Sequence, residues 1–356
     1  MIAAALSGGA DSAAAAILLH DSGEKICGVT GHFSEENPGS LHMERALHIC
    51  RYLGIEHHML DVRKEFTTIK DYFCDEYLKG RTPNPCVICN RDIKFAVLLK
   101  MAMHLGADMV ATGHYVRKGF EQGRYYVSRA REKNSQEYFL GLVPQEALKL
   151  SVFPLEEITK PGVRAILDST TLVIPPRETS QDVCFIGQEG YVSFIRSYSD
   201  YQSKPGVILD VKGRVIGKHR GALHYTIGQR KGLGMGFGRK VYVLGVDMVH
   251  NTITVGDLWQ WPHKGFVLKG VNYMKIPAVT RPTEAFVKVR YRQRAEKALI
   301  MPGEEGDLFV AYGRLFSPGQ LAVVYDHDGA VLCAGIIDSP FDYPMDKIPD
   351  LDEAAV

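Results

Sequence analysis

The spacing of hydrophobic positions changes partway along the chain. In the first half, short apolar runs at Ile2–Leu6, Ile26–Thr30, His58–Val62 and Asp108–Thr112 read as strands. Ala13–His20, Leu41–Leu53, Phe66–Leu78 and Ile93–Leu105 carry apolar residues at helical spacing between or beside them. This alternation predicts a doubly wound, Rossmann-like α/β domain with a mostly parallel sheet. Past about Tyr198 the runs become short and rich in Val, Ile, Tyr and Thr: Gly206–Val211, Val215–Gly217, Val241–Val246 and Thr252–Val255, then Phe266–Tyr273, Glu284–Val289, Leu308–Phe316, Gln320–Asp326 and Val331–Ile337. Turn signals such as Lys212-Gly213 and Asp328-Gly329 separate them, and two small β domains follow, the last a β-barrel. The expected division is 1–198, 203–262 and 264–339, with Trp261–Gly265 as a joint and 340–356 as a frayed acidic tail.

A chain of 356 residues exceeds one hydrophobic core, in keeping with several domains. With 46% hydrophobic and 23% charged residues it is ordinary globular protein, and a net charge of +1 selects neither a nucleic acid nor a small molecule as partner. No apolar run approaches the roughly 20 residues a bilayer span requires. Met1 leads straight into a strand without a basic leader, so a cytoplasmic protein is expected, as a monomer and without a membrane partner. Seven cysteines in a chain of this length suit free, catalytic or metal-binding thiols better than a secreted disulfide framework.

The first strand runs into Ser7-Gly8-Gly9-Ala10-Asp11-Ser12 and then an alanine-rich helix. Glycines let the backbone approach an anion, successive N–H groups form a concave nest, and the helix N-terminus adds partial positive charge. The loop lacks a Walker lysine and dinucleotide glycine spacing, and a plain glycine turn with Asp11 or Ser12 as helix cap is its structural alternative. Two thiols, Cys86 and Cys89, follow the stiff Pro83-Asn84-Pro85 turn ahead of a helix containing Lys94 and Phe95. A third, Cys184, lies in Ser180–Gly187. If the fold joins Cys184 to Cys89, one can carry a persulfide and the other resolve it as a disulfide. The same three cysteines could instead hold an iron–sulfur cluster, or Cys86 and Cys89 a zinc half-site. Cys27, Cys50, Cys74 and Cys333 sit in apolar periodic segments and are expected to be buried.

The Ser7–Ser12 loop resembles the pyrophosphatase motif of the ATP-pyrophosphatases, which implies that fold and an oxygen adenylated with ATP. The whole set of segments, Arg81–Asn90, Ala111–Tyr115, Asp182–Gly187, His224–Gly234, Val289–Gln293 and Phe316–Gln320, is similar in order and content to the tRNA-specific 2-thiouridylases. That resemblance implies ATP contacts at Ala5, Leu6, Ser7, Gly8, Gly9, Ala10, Asp11, Ser12, Gly31 and Gly113. It makes Cys89 the nucleophile-like partner and Cys184 the persulfide carrier. It places Asn84, Pro85 and Cys86 around a flipped wobble uridine, where many relatives have Asp at the Cys86 position. Asn134, Ser135, Gln136, His114, Arg290, Tyr291 and Gln320 would contact tRNA. The implied reaction is ATP- and Mg²⁺-dependent 2-thiolation in the anticodon stem-loop, with sulfur from a persulfide donor protein.

Two segments depart from the family pattern. Asn134-Ser135-Gln136-Glu137 stands where Lys-Asp-Gln-Ser is common, and Gly31-His32-Phe33 replaces a Met-Lys-x-Trp-like stretch, followed by a short connection. Arg290, Arg292 and Arg294 alternate with Tyr291 between the first two, so a strand there would set three arginines on one face as a phosphate-binding stripe. Gln229-Arg230-Lys231 and Arg239-Lys240 add basic charge in a glycine-rich segment. An RNA-binding or sulfur-relay protein with an inactive nucleotide site, and an amidating ATP-pyrophosphatase, are the alternatives at this level.

Overall fold

The computed structural model describes residues 1–33, 41–174, 183–234 and 238–343. The connection after Phe33, the Ser180–Asp182 part of the Cys184 segment and most of the acidic tail lie outside the described residues.

The first unit contains β1 (Ile2–Ala5), α1 (Ala10–Asp21), β2 (Ile26–His32), α2 (Leu41–Leu53), β3 (His57–Asp61), α3 (Arg63–Leu78), α4 (Pro85–Cys89), a π-helical stretch over Asn90–Val97, α5 (Leu98–His104) and β4 (Met109–Thr112). A hairpin of β5 (Val116–Glu121) and β6 (Arg124–Arg129) precedes α6 (Gln145–Lys149), β7 (Ser151–Val152), α7 (Lys160–Asp168) and α8 (Tyr191–Tyr198). The sheet is parallel in the order β3-β2-β1-β4-β7. Its strand order reverses between β1 and β4, which pair Ala5 with Thr112 at their C-terminal ends. In an open α/β sheet that is where a ligand crevice opens. Alanines let α1 lie close on the sheet: Ala13, Ala14 and Ala16 are fully buried.

The second unit is a four-stranded sheet of β8 (Gly206–Leu209), β9 (Val215–His219), β10 (Tyr242–Asp247) and β11 (Thr252–Gly256), in the order β10-β11-β8-β9. The third closes as an antiparallel barrel from β12 (Gly265–Tyr273), β13 (Thr283–Lys288), β14 (Glu296–Pro302), β15 (Leu308–Ala311), β16 (Leu321–Tyr325) and β17 (Val331–Pro340), ordered β12-β15-β14-β13-β16-β17. The fold class expected from the hydrophobic pattern is the one observed.

Three expectations change. Arg290, Arg292 and Arg294 do not alternate along a strand, because β13 ends at Lys288 and the chain turns at once, with Gln293 N donating to Arg290 O at 3.1 Å. The strand at Leu308 stops at Ala311 rather than Phe316. Cys86 and Cys89 lie within a helix, not ahead of one, since Pro85 occupies its first turn where a missing N–H costs nothing.

The barrel and the α/β unit share one apolar core, in which Phe286, Leu321, Val323 and Tyr325 join Tyr138, Leu140 and Ile93. Polar contacts seal the boundary. Asn272 Nδ2 donates to Gly141 O and Val143 O, both at 2.9 Å, and the Arg124 guanidinium caps Tyr273 O and Met274 O. Glu137, 1% exposed, meets Lys288 Nζ at 3.1 Å and Tyr325 Oη at 3.3 Å.

Candidate active site

The chain leaves β1 with Leu6 N donating to Val29 O, then turns at Gly8, whose φ of +69° suits glycine. A side chain at Gly8 would also collide with the His42 carbonyl. Gly9, extended at φ −99°, is the N-cap of α1 and has no side chain with which to cap that helix end. Ser12 acts within the loop: its Oγ accepts from Ser7 N at 3.2 Å and donates to Gly9 O at 2.9 Å. Neither Asp11 nor Ser12 is therefore the cap, and the uncapped amides remain available to an anion.

Asp11 braces the loop from outside. It accepts from Tyr115 Oη at 2.5 Å and from Lys160 Nζ at 2.6 Å, and Lys160 lies 4.7 Å from the Tyr115 ring centroid. Gly113 comes so close that an added Cβ would be 2.8 Å from Asp11 C and Ser12 N. Gly31 is covered by Phe33, whose ring would be 2.6 Å from a Cβ there.

Beyond this loop opens a cavity of about 1730 Å³. Ala5, Leu6, Ser7, Asp11, Ser12, Gly31 and Gly113 line it, together with Pro85, Cys86, Cys89, Lys94, His114, Gln136 and Cys184. Its volume exceeds the usual 300–1,000 Å³ of a single-ligand pocket, leaving room for a nucleotide and a second group. The structure thus brings together most of the residues expected to act on ATP and all three implicated thiols.

The thiols differ in setting. Cys89 is 8% exposed and packed in the core, Cys86 is exposed, and Cys184 is exposed on a turn closed by Ile186 N donating to Val183 O. Phe185 anchors that turn among Phe66, Phe73 and Phe194, at ring-centroid distances of 5.7, 5.3 and 5.0 Å. Burial pushes the Cys89 thiol up to about 11, against the Lys94 ammonium, which favours its thiolate. Although Cys86 is exposed, it lies in the wall of the cavity, and the desolvation there raises its thiol as well, with Lys94 again opposing. Cys184 is near enough that its charge disfavours ionisation of both. The remaining four cysteines are buried, as expected.

His114, at the end of β4, is pushed down to about 3 by burial and then by Lys94, so it is neutral at physiological pH; its Nδ1 lies 2.9 Å from Thr112 Oγ1. It can exchange hydrogen bonds with a ligand but not attract a phosphate by charge.

Other residues expected at tRNA make internal contacts. Gln320 Nε2 donates to Thr82 O at 2.8 Å, and Arg290 donates to Ile227 O at 2.7 Å and Ser317 Oγ at 3.1 Å. Tyr291 Oη donates to Asn134 O at 3.0 Å, and Ser135 Oγ accepts from Ala130 N at 2.9 Å. Asn84 lies beside the Tyr138 hydroxyl, which itself donates to Leu321 O at 2.8 Å. None of these residues lines the cavity. A second recess, about 590 Å³, is lined by Arg230, Arg239 and Lys240.

Neither Lys94 nor Lys160 has a sequence signal that marks it for the site. Lys160 gives little signal, as one lysine before a proline. Lys94 is hidden by periodicity: five residues beyond Cys89 an α-helix would point it about 140° away, whereas the π-helical stretch, bonded i to i+5, returns it toward the cysteine face.

An iron–sulfur cluster or a resident Mg²⁺ requires converging ligands. Among the described residues no group of three His, Cys, Asp or Glu side chains is placed to hold a metal ion, and the Asp11 carboxylate is engaged by Tyr115 and Lys160. Nor does a helix of the described residues have the length and apolarity to cross a membrane.

Fold and cavity define a nucleotide-binding α/β chain with a thiol cluster and two β appendages. Family profiles agree: residues 1–188 match a tRNA methyl transferase HUP domain, 193–257 a tRNA methyl transferase PRC-barrel domain, and 263–337 an aminomethyltransferase β-barrel domain. The tRNA-specific 2-thiouridylase MnmA of Acetivibrio thermocellus is 35% identical, covering 93% of this chain and 97% of that protein. Its namesake in Treponema denticola is 38% identical, covering 94% and 96%. The chain belongs to the family of tRNA-specific 2-thiouridylases. Among solved structures, the U34-tRNA thiolase NcsA of Methanococcus maripaludis with its [4Fe-4S] cluster aligns over 56% of this chain and 64% of that one at 21% identity and a TM-score of 0.35, too loosely to carry its cofactor across.

Proposed function

We propose that the chain is an ATP-dependent tRNA uridine 2-sulfurtransferase acting at the wobble position of the anticodon stem-loop. One observation carries the reading: the anion-binding loop and three thiols open into a single cavity large enough for nucleotide and base. Family membership supplies the tRNA and the uridine.

In this reading ATP lies on Ser7–Ser12 with its phosphates at the α1 amides, and the uridine C2 oxygen attacks the α-phosphorus, releasing pyrophosphate. Mg²⁺ would enter as part of the ATP substrate and would offset the charge of its phosphates. The terminal sulfur of a Cys184 persulfide then attacks C2 and AMP leaves. The Cys89 thiolate attacks Cys184 Sγ, the S–S bond to the base breaks, and 2-thiouridine departs as a Cys89–Cys184 disulfide forms. Lys94 favours the Cys89 thiolate against the burial that opposes it. Gln136 and neutral His114 line the part of the cavity where the base would sit. Backbone contacts would fall on the recess of Arg230, Arg239 and Lys240, with Arg290, Tyr291 and Gln320 holding the surrounding loops. The persulfide comes from a donor protein, and the chain works as a cytoplasmic monomer with parts 1–198, 203–262 and 264–339.

The test is thiolation of a tRNA transcript, with AMP release followed in parallel. Cys184→Ser and Cys89→Ser should each lower thiolation at least 100-fold while tRNA-stimulated AMP formation continues. Full thiolation by either variant refutes the sulfur path, and absence of AMP formation by the unaltered chain refutes the nucleotide assignment.

A further inference from the structure

Transfer of sulfur through Cys184 and Cys89 leaves Cys86 without a chemical part, although it is exposed while Cys89 is 8% exposed. The two are three positions apart in α4. That spacing sets their Cα atoms about 5 Å apart, within the roughly 4.4–6.8 Å that a disulfide spans. Cys86, Cys89 and Cys184 all line the cavity, and each of the three pairings interacts electrostatically.

We propose that Cys86 is a resolving thiol, which attacks the Cys89–Cys184 disulfide left by each sulfur transfer and moves it into the Cys86–Cys89 pair. The proposal rests on the persulfide reading above. Cys86 loses its proton and its sulfur bonds to Cys89 Sγ. The Cys89–Cys184 bond breaks, and Cys184 leaves as a thiolate that takes up a proton. One disulfide replaces another, so no electrons are gained or lost. An external dithiol then supplies two electrons and two protons to reduce Cys86–Cys89.

The geometry gives this exchange a purpose. Cys184 must be a free thiolate before it can accept another sulfur, and Cys89 is walled in on the core side. Cys86 is exposed in the same cavity three residues earlier in the helix, so its attack is intramolecular and the resulting disulfide has one accessible sulfur. Burial raises both the Cys86 and the Cys89 thiol, and the Lys94 ammonium is the charge that opposes it.

The experiment uses the full chain, ATP, tRNA transcript and a cysteine desulfurase with L-cysteine as persulfide source. The reaction is quenched after one turnover without added dithiol, alkylated, and mapped for disulfides by mass spectrometry. The unaltered chain should hold Cys86–Cys89 with Cys184 alkylated. Cys86→Ser should hold Cys89–Cys184, and with limiting dithiothreitol its ratio of first-turnover rate to steady-state rate should rise at least tenfold. Cys86→Ala should match it, which separates loss of the thiol from an effect of the serine hydroxyl. Finding Cys89–Cys184 with Cys86 alkylated in the unaltered chain overturns the relay while preserving the persulfide path. Finding no disulfide in any of the chains overturns both.

Discussion

Replacing Lys288 by Met should unlock the barrel from the α/β unit. Glu137 is 1% exposed and the Lys288 side chain 14%, with Nζ 3.1 Å from Oε1. At that distance, with an effective dielectric of 20, the attraction is about 5 kcal/mol. Among the described residues Tyr325 Oη is the other partner of Glu137, at 3.3 Å, and Oε2 has none. The variant strands a buried carboxylate, and removing one member of such a pair costs about 3–5 kcal/mol. With a urea slope of about 3 kcal/mol/M the unfolding midpoint should fall by roughly 1–1.7 M. Trp261, 5% exposed and edge-on to Phe316 at 5.2 Å, reports barrel unfolding by fluorescence. Glu137→Leu combined with Lys288→Met removes both charges and should lie within about 1 kcal/mol of the original chain, since buried ion pairs often exchange neutrally for apolar groups. A midpoint shift below about 0.3 M in Lys288→Met, or a double variant as unstable as the single one, refutes the reasoning.

Two further predictions concern the cavity. Gly113→Ala drives a Cβ to 2.8 Å from the backbone at Asp11 and Ser12, so the loop must shift; the KM for ATP in AMP release should rise at least tenfold, while circular dichroism stays unchanged. His114 titrates at about 3 in the folded chain against an ordinary 6.5, so above pH 6.5 it adds no pH dependence, and below it the unfolded chain binds a proton that the folded chain does not. By pH 5 that difference costs about 2 kcal/mol, and in denaturant titrations at pH 7 and pH 5 His114→Gln should escape this part of the acid destabilisation; an identical pH 7-to-5 change in variant and original chain would show that His114 is not held neutral.

Sequence carried the architecture because each layer has its own period. Helical spacing over Leu41–Leu53 and Phe66–Leu78 and turn-bounded Val-rich runs after Tyr198 both matched what forms. It missed the β5–β6 hairpin, whose tight turn uses Gln122 and Gly123 at φ 49° and 78° without the usual Asn-Gly or Asp-Gly signal. The arginine stripe failed because alternation identifies a face only where a strand continues, and this strand ends at Lys288. The thiols and loop were legible because their residue types are chemically uncommon in such settings, whereas Lys94 became visible only with the helix register.

The Asn134–Glu137 segment shows how a local departure from the family pattern can be made good at a distance. Sequence comparison registers two lost charges at Asn134 and Ser135, suggesting altered handling of ATP or the base. In the fold, Ser135 is 5% exposed, accepting from Ala130 N and donating to Tyr115 O at 3.2 Å, a position in which a carboxylate would have to be buried. The acid stands two residues later, at Glu137, where Lys288 of the barrel reaches it. Gln136, between them, keeps its place in the cavity because Oε1 accepts from Tyr115 N at 3.0 Å and its own N–H donates to Tyr115 O at 2.8 Å. Phe139 O, two residues past Glu137, accepts from Asn90 Nδ2 at 3.0 Å, immediately after Cys89. One short segment therefore joins the barrel, the cavity wall and the cysteine helix. Through Glu137, which Lys288 meets, and Phe139, whose carbonyl Asn90 meets, the barrel is tied to the residue that follows the Cys89 helix.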